Sequence, residues 1–158
     1  MNKLSLLVVV FALFLSCGKS KSESGEDFSA PTATEESATT DASSYDPNRG
    51  EGKYADMELG ALDAAMAKKG EDVSGVKCTS CHKMTDERLV GPGWKGVTER
   101  RKPEWIMNFI TNPDPIIDKD PELQAQLELC LVRMPNQSLA DTEAREILEF
   151  MRKNDGVK

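Results

Sequence analysis

One short segment, KCTSCHK at residues 77–83, contains residue types that bind metals and form covalent bonds. Cys78 and Cys81 are separated by two residues, and His82, the single histidine of the chain, follows directly. This spacing is compatible with three kinds of site: a redox-active dithiol, part of a zinc site, or a covalent haem attachment site. Each kind of site needs different residues elsewhere, so the rest of the sequence discriminates among them.

The dithiol and zinc interpretations find little support in the other residues. A redox CxxC motif usually begins a helix after a strand of a βαβ pattern, and no strand pattern precedes Cys78. A closed zinc site needs four ligands, and only Cys130 could join the three residues of the motif. Adjacent side chains such as those of Cys81 and His82 are poorly placed to bind one tetrahedral ion. A structural zinc or dithiol protein is kept as an alternative.

The haem interpretation uses every residue of the motif. The thiols of Cys78 and Cys81 can add to the two vinyl groups of one porphyrin, while His82 binds the iron as an axial ligand. The chain has no second histidine, so another residue type must supply the second axial ligand. Met134 is the predicted ligand, because it lies in a loop before Pro135 and because a methionine sulfur can pair with a histidine at a haem iron. Without Met134 on the iron, the open site would suit a haem enzyme or a gas sensor.

The N-terminal residues predict export from the cytoplasm. Lys3 precedes an apolar run at residues 4–15, and small residues follow, which is the order of a secretory signal. The run is too short to cross a hydrocarbon layer of ~30 Å. Cys17 comes almost directly after the run, as in bacterial lipoprotein signals. We therefore predict a signal peptide at residues 1–16 and lipid attachment at Cys17.

The composition divides the rest of the chain into two parts. Residues 17–52 are rich in Ser, Thr, Ala and acidic residues, which predicts a disordered acidic tether. Residues 53–158 are long enough for one domain with one core. The whole chain has 20 basic and 27 acidic residues, a net charge of −7, and this acidic balance argues against nucleic-acid binding.

Helical spacing of apolar residues dominates the second part, and strand patterns are nearly absent. One pattern spans residues 57–69 and ends at Gly70 as a possible break, and a short second stretch leads into Cys78. Further helical patterns follow Pro103, Pro121 and Asp141, with Asp141 as a possible N-cap. The pattern after Pro121 forms one apolar face from Leu123, Leu127, Cys130 and Leu131, and the pattern after Asp141 turns Ile147, Leu148 and Met151 inward. The sequence thus predicts an all-α domain of four to five short helices.

Over most of its length, the part at residues 53–158 resembles the class I monohaem c-type cytochromes. The resemblance implies the class I cytochrome c fold around one covalent haem c behind the disordered tether. It also implies that Gly70 packs against the last helix, where Phe150 is the expected aromatic residue.

The resemblance assigns roles to further residues of a haem pocket. The carbonyl of Pro92 would accept the proton of the second ring nitrogen of His82. Trp94 would line the ring, while Arg100 and Trp105 would lie at the haem propionates.

More specifically, the sequence resembles small monohaem lipoproteins of Gram-negative respiratory chains. The resemblance implies a periplasm-facing, membrane-tethered electron carrier that is not an enzyme. A quinol-oxidising complex would be its donor, and a terminal oxidase or reductase, with nitrous-oxide reductase named first, its acceptor. We further expect a basic docking rim for acidic partners, formed by Lys83, Lys95, Arg100, Arg101, Lys102 and Arg133.

Overall fold

The structure is a computed structural model, and it describes residues 45–158. This part of the chain forms six helices: α1 (Ala64–Lys77), α2 (Val97–Arg100), α3 (Pro103–Thr111), α4 (Pro113–Ile117), α5 (Pro121–Cys130) and α6 (Asp141–Asn154). The β pairing in the same residues is limited to an isolated bridge between His82 and Arg88. The all-α prediction is confirmed. Four to five helices were predicted, and the count of six in the described residues includes two very short ones, α2 and α4, of four and five residues.

None of the helices in residues 45–158 combines the length and the apolar character that crossing a membrane requires.

Helix α1 begins later and extends further than its sequence pattern predicted. The carboxylate of Asp63 accepts hydrogen bonds from the N–H groups of Ala65 and Met66, both at 2.9 Å. This N-cap starts the helix at residue 64 instead of 57. Gly70 does not break the helix, which continues to Lys77 and joins the two helical stretches that the sequence suggested.

Gly70 is the point at which α1 crosses α6. A Cβ atom at Gly70 would lie 2.0 Å from the carbonyl oxygen of Glu146 and 2.8 Å from the backbone nitrogen of Ile147. The two helices therefore touch backbone to backbone, as predicted, and only glycine fits. Ile147, Leu148 and Met151 of α6 are buried in the core, in agreement with their predicted inward positions.

Two helix ends differ from the sequence prediction. Leu131, expected to continue the apolar face of α5, adopts a left-handed conformation with φ 57° after the helix and is 84% exposed. Asp141 is the first residue of α6 and not its N-cap. Its carboxylate instead accepts a hydrogen bond from the ammonium of Lys53 at 2.6 Å.

A segment that forms no helix, residues 45–63, packs against the helices, and we call it the N-terminal strap. Asn108 of α3 is 1% exposed and binds this strap with both ends of its amide. Its nitrogen donates to the carbonyl oxygens of Arg49 at 3.0 Å and Tyr54 at 2.9 Å, and its oxygen accepts from the Tyr54 N–H at 2.9 Å. The strap thereby satisfies a polar side chain that would otherwise be buried without partners.

A buried ion cluster joins the other end of the strap to α6. The carboxylate of Glu149 is fully buried and contacts the guanidinium groups of Arg145 at 2.5 Å and Arg152 at 2.7 Å. It also accepts a 3.3 Å hydrogen bond from the N–H of Asp63, while Arg152 donates to the carbonyl of Gly60 at 2.7 Å. A buried carboxylate is tolerated here because two cations and a strap amide surround it.

The strap extends the folded domain to Tyr45, ahead of the boundary at residue 53 that the composition suggested. The Tyr45 hydroxyl donates to the carboxylate of Asp120 at 2.6 Å. The signal peptide, Cys17 and the tether up to residue 44 lie outside the described residues.

We expect Asn108→Ala to lower the free energy of unfolding by about 2–3 kcal/mol, because backbone groups of the strap lose their buried partner. Trypsin should also cleave after Lys53 faster. Asn112→Ala is the control, since Asn112 is exposed at the end of α3. Its effect should stay within about 0.5 kcal/mol. Equal protease resistance of the two variants would contradict the role of Asn108.

We expect Gly70→Ala to destabilise the protein by about 2–4 kcal/mol, because the new methyl group overlaps the backbone of α6. Gly75→Ala is a matched control in the same helix, where a Cβ would meet no atom within 4 Å. That change should stabilise the helix by about 0.5–1 kcal/mol. Chemical denaturation of both variants measures the difference, and effects of the same sign would refute the packing argument.

Candidate functional site

A cavity of about 490 Å³ lies between the end of α1, helices α2, α3 and α5, and the loop that precedes α6. Its wall is mainly apolar and is continuous with the hydrophobic core. All eight residues that were predicted for the pocket line this cavity: Cys78, Cys81, His82, Pro92, Trp94, Arg100, Trp105 and Met134. The fold thus brings together residues that are up to 56 positions apart, from Cys78 to Met134.

The two cysteines follow directly from the C-terminus of α1. Cys78 is the C-cap of the helix, and its carbonyl oxygen accepts hydrogen bonds from the N–H groups of Cys81 and His82, both at 3.0 Å. This turn places both sulfur atoms and the imidazole at the same cavity. Both thiols are free, and burial raises the pKa of the Cys78 thiol.

Backbone contacts determine the orientation and the protonation of His82. Its Nδ1 lies 2.8 Å from the carbonyl oxygen of Pro92. A carbonyl can only accept, so Nδ1 carries the hydrogen and Nε2 keeps its lone pair for a metal. Burial lowers the pKa of His82, and the hydrogen bond to Pro92 opposes this shift only in part. Both features favour the neutral imidazole that binds iron.

The space around the imidazole is equally restricted. A Cβ atom at Gly91 would lie 2.4 Å from Cε1 and 2.9 Å from Nδ1 of His82. Trp94 lies nearby, with its ring centroid 5.7 Å from that of the histidine. The ring therefore cannot rotate away from its bond to Pro92 without displacing backbone.

The described residues give no support to a zinc site. Residues 45–158 contain no cluster of three or more His, Cys, Asp or Glu side chains that could hold a metal ion. Cys130, the remaining candidate ligand, lines the cavity as a free, half-buried thiol.

Two methionines of the described chain line the cavity, Met134 and Met151. Met151 belongs to α6 and is 3% exposed within the core. Met134 lies in the loop between α5 and α6 and is half-buried. Met84 and Met107 do not contribute to the wall, so the structure reduces the choice of sulfur ligand to two side chains.

Two arginines, Arg100 and Arg101, line one end of the cavity, which we call its polar end. The sequence did not reveal the role of Arg101. Arg101 stacks on Trp105, with its guanidinium carbon 4.2 Å from the ring centroid, and its side chain is 15% exposed. It also pairs with Asp120 at 3.6 Å and with Glu122. Arg100 lines the cavity as well, and it donates to the carbonyl of Lys95 at 2.8 Å.

The strap reaches this polar end through Tyr45. The indole N–H of Trp105 donates to the Tyr45 hydroxyl at 3.3 Å, and that hydroxyl donates to Asp120. Sequence patterns could separate neither Arg101 from Arg100 nor Tyr45 from the tether, because the ion pairs of Arg101 and the hydrogen bonds of Tyr45 join residues at least 19 positions apart.

Comparison with known proteins agrees with this geometry. The sequence profile of the cytochrome c family matches residues 67–155, which is more than half of the chain. The chain belongs to the cytochrome c family. Its fold is similar to that of cytochrome c from Rhodothermus marinus, with a TM-score of 0.63 and 36% sequence identity over 66% of this chain and 90% of that one.

Engineered forms of the same Rhodothermus marinus cytochrome c are also similar. One matches with a TM-score of 0.62 and 35% identity, and another, bound to a carbene intermediate, matches with 0.60 and 36%. Each comparison covers 66% of this chain and 90% of the other. No protein with a curated description matches the chain.

Cytochromes c carry a covalently bound haem c and transfer electrons, and the residues of this cavity fit that group. Cys78 and Cys81 offer two free thiols, His82 offers an unprotonated nitrogen, and the apolar wall suits a porphyrin. When bound, the haem supplies the one-electron chemistry of its iron. The chain orients His82 through Pro92, excludes water with Trp94 and its apolar neighbours, and provides cations at the polar end.

We expect Gly91→Ala to weaken the attachment of haem, because the added methyl group displaces His82 from its bond to Pro92. Loss of such an orienting bond weakens metal binding on the order of tenfold. The measurement is the fraction of purified protein that carries covalent haem, determined by a haem assay in denaturant. Gly60→Ala, where a Cβ meets nothing within 4 Å, should keep full haem content. Full haem content and an unchanged spectrum in Gly91→Ala would contradict the argument.

Proposed function

We propose that this cytochrome c is a membrane-tethered, periplasm-facing carrier of single electrons, with His82 and Met134 as axial ligands of the haem iron. The observation that supports this proposal is that Cys78, Cys81, His82 and Met134 line one apolar cavity. An iron with two protein ligands exchanges electrons without binding a substrate. A neutral sulfur ligand favours the reduced state and gives a relatively high potential.

The position of the two candidate methionines favours Met134 as the second ligand. Met151 is held in the core by the packing of α6 and is nearly inaccessible. Met134 lies in a segment without regular structure, which can place its sulfur at the iron without moving a helix. Pro135 follows and restricts the backbone of the loop.

The membrane anchor and the partners of the carrier are proposed from the sequence. The lipoprotein-like signal supports acylation at Cys17, and residues 17–44 would connect that anchor to the folded domain. A quinol-oxidising complex is the proposed donor. A terminal oxidase or a reductase, such as nitrous-oxide reductase, is the proposed acceptor.

The charges near the cavity favour a different docking surface from the expected basic rim. Three of the six basic residues are paired with carboxylates: Lys83 with Glu87 at 2.6 Å, Arg101 with Asp120 and Glu122, and Arg133 with Asp114 and Asp118. Exposed apolar residues lie in segments that border the cavity: Val76, Leu89, Val90, Leu129, Leu131 and Val132. We therefore propose that partners dock mainly through apolar contacts, with a weak dependence on salt.

A haem protein with an open iron site is the second candidate function. The loop that bears Met134 makes few hydrogen bonds with the rest of the described domain. An engineered Rhodothermus marinus cytochrome c is described as bound to a carbene intermediate. Release of Met134 would leave one axial position of the iron free for an external ligand.

A pair of variants separates these possibilities. In Met134→Leu we expect the Met-to-iron charge-transfer band to disappear and the midpoint potential to fall on the order of 100 mV, because the sulfur ligand is lost. Met151→Leu is the matched control and should retain both properties. A haem-stained denaturing gel must first show covalent haem in all forms.

The opposite pattern in the two variants would assign the sulfur ligand to Met151. Absence of the band in the wild type, together with ready CO binding, would favour the open iron site. Absence of haem stain would refute both functions.

A further inference from the structure

The loop that contains Met134 is connected to the rest of the domain by few polar contacts. Residues 132–139 have no regular structure, and two of their hydrogen bonds are local: Gln137 to the carbonyl of Pro135, and the N–H of Ser138 to Asn136. Among the described hydrogen bonds of these residues, those that reach another element all come from Arg133.

Arg133 makes three hydrogen bonds to α4 and to Asp118, the C-cap of that helix. Its Nε donates to a carboxylate oxygen of Asp114 at 2.7 Å. Its Nη2 donates to the carbonyl oxygen of Asp114 at 3.1 Å and to the carboxylate of Asp118 at 2.8 Å. A guanidinium that binds three acceptors on one helix restricts both the position and the orientation of its own backbone.

The helix on the other side of this contact is rigidly placed. Pro113, Ile116 and Ile117 of α4 are buried in the core. Asp114 and Asp118 project from the same short helix, so their carboxylates occupy a defined position relative to the cavity wall, to which Ile117 contributes. Arg133 thus connects residues 132–139, which have no regular structure, to a helix that is packed in the core.

We propose that Arg133 is a positioning residue that holds Met134 at the haem iron, and that Asp114 and Asp118 are its partners. We call these three residues the loop latch. The proposal rests on Met134 being the second axial ligand. Arg133 directly precedes Met134, so the three hydrogen bonds of the latch restrict the backbone that carries the sulfur. With haem bound, loss of these hydrogen bonds would let the Met134 sulfur move away from the iron, so that an external ligand would compete for its position.

The latch is accessible to solvent, which makes it sensitive to salt. The side chain of Arg133 is 38% exposed, and those of Asp114 and Asp118 are 59% and 63% exposed. Ions screen such pairs, whereas the bond between His82 and the backbone carbonyl of Pro92 involves no ion pair that salt could screen. The two axial sides of the haem should therefore respond differently to salt.

The test measures the affinity of the oxidised holoprotein for imidazole by absorbance titration. Binding requires that Met134 leaves the iron, so the apparent affinity reports the fraction of open loops. In Arg133→Gln we expect imidazole to bind about tenfold more tightly than in the wild type. The double variant Asp114→Asn/Asp118→Asn should show the same change, although it leaves the loop sequence intact.

Two controls distinguish the latch from a general effect of charge. Lys68→Gln removes a cation from another exposed pair, Lys68 with Asp72 at 2.6 Å, and should bind imidazole like the wild type. Arg133→Lys retains the charge but not the planar set of donors, so its imidazole affinity should lie between those of the wild type and Arg133→Gln. Salt at about 1 M, where the screening length is about 3 Å, should tighten imidazole binding to the wild type and leave Arg133→Gln unchanged.

Imidazole affinity that is equal in the wild type, Arg133→Gln and the double aspartate variant would overturn the latch. Met134→Leu separates this failure from failure of the proposed ligand. If Met134 is the ligand, Met134→Leu binds imidazole more tightly than the wild type, whether or not the latch exists. If Met134→Leu binds imidazole like the wild type, the ligand assignment itself is wrong, and the latch fails with it.

Discussion

The backbone contact between α1 and α6 at Gly70 determines the geometry of the haem cavity. Helix α1 ends directly before Cys78, so its direction sets the positions of both thiols and of His82. Helix α6 contributes Met151 to the cavity wall. A side chain at Gly70 would separate the two helices, and the attachment motif would then move relative to the core that closes the cavity.

The same α6 helix also positions α2 on the cavity wall. Asp155, which follows α6, accepts hydrogen bonds from the N–H groups of Gly96 at 2.6 Å and Thr98 at 2.9 Å, and from the Thr98 hydroxyl at 2.7 Å. These bonds satisfy the free amides at the start of α2. Val97 and Arg100 of α2 line the cavity. The crossing of α1 and α6 therefore determines the positions of three parts of the wall: the end of α1, α6 and α2.

The N-terminal strap is a structural part of the domain because it satisfies groups that the helices bury. Asn108 in α3, Asp120 at the start of α5 and Glu149 in α6 are each at most 1% exposed. Each finds a partner in the strap, and a buried polar group without a partner costs about 1–3 kcal/mol. The strap could therefore not be replaced by flexible chain without changes on three helices.

The sequence predicted the features that depend on local chemistry or on regular spacing. The role of CTSCH follows from two thiols and one imidazole, and the inward positions of Ile147 and Leu148 follow from helical periodicity. The strap was not predicted, because it binds through backbone groups and single polar side chains that form no periodic pattern. The basic rim stays a prediction. The sequence could not show that one of its members, Arg133, is paired with Asp114 and Asp118, because these residues lie 19 and 15 positions away.

The two axial sides of the site are held by different kinds of interaction, and this difference bears on electron transfer. His82 is held by a bond to a backbone carbonyl and by the close approach of Gly91, neither of which depends on charge. The Met134 loop is connected by exposed ion pairs. Exposed ion pairs contribute little stability, so any change in coordination should begin on the methionine side. Under the proposed ligation, backbone contacts hold the His82 ligand and exposed ion pairs hold the loop of the Met134 ligand.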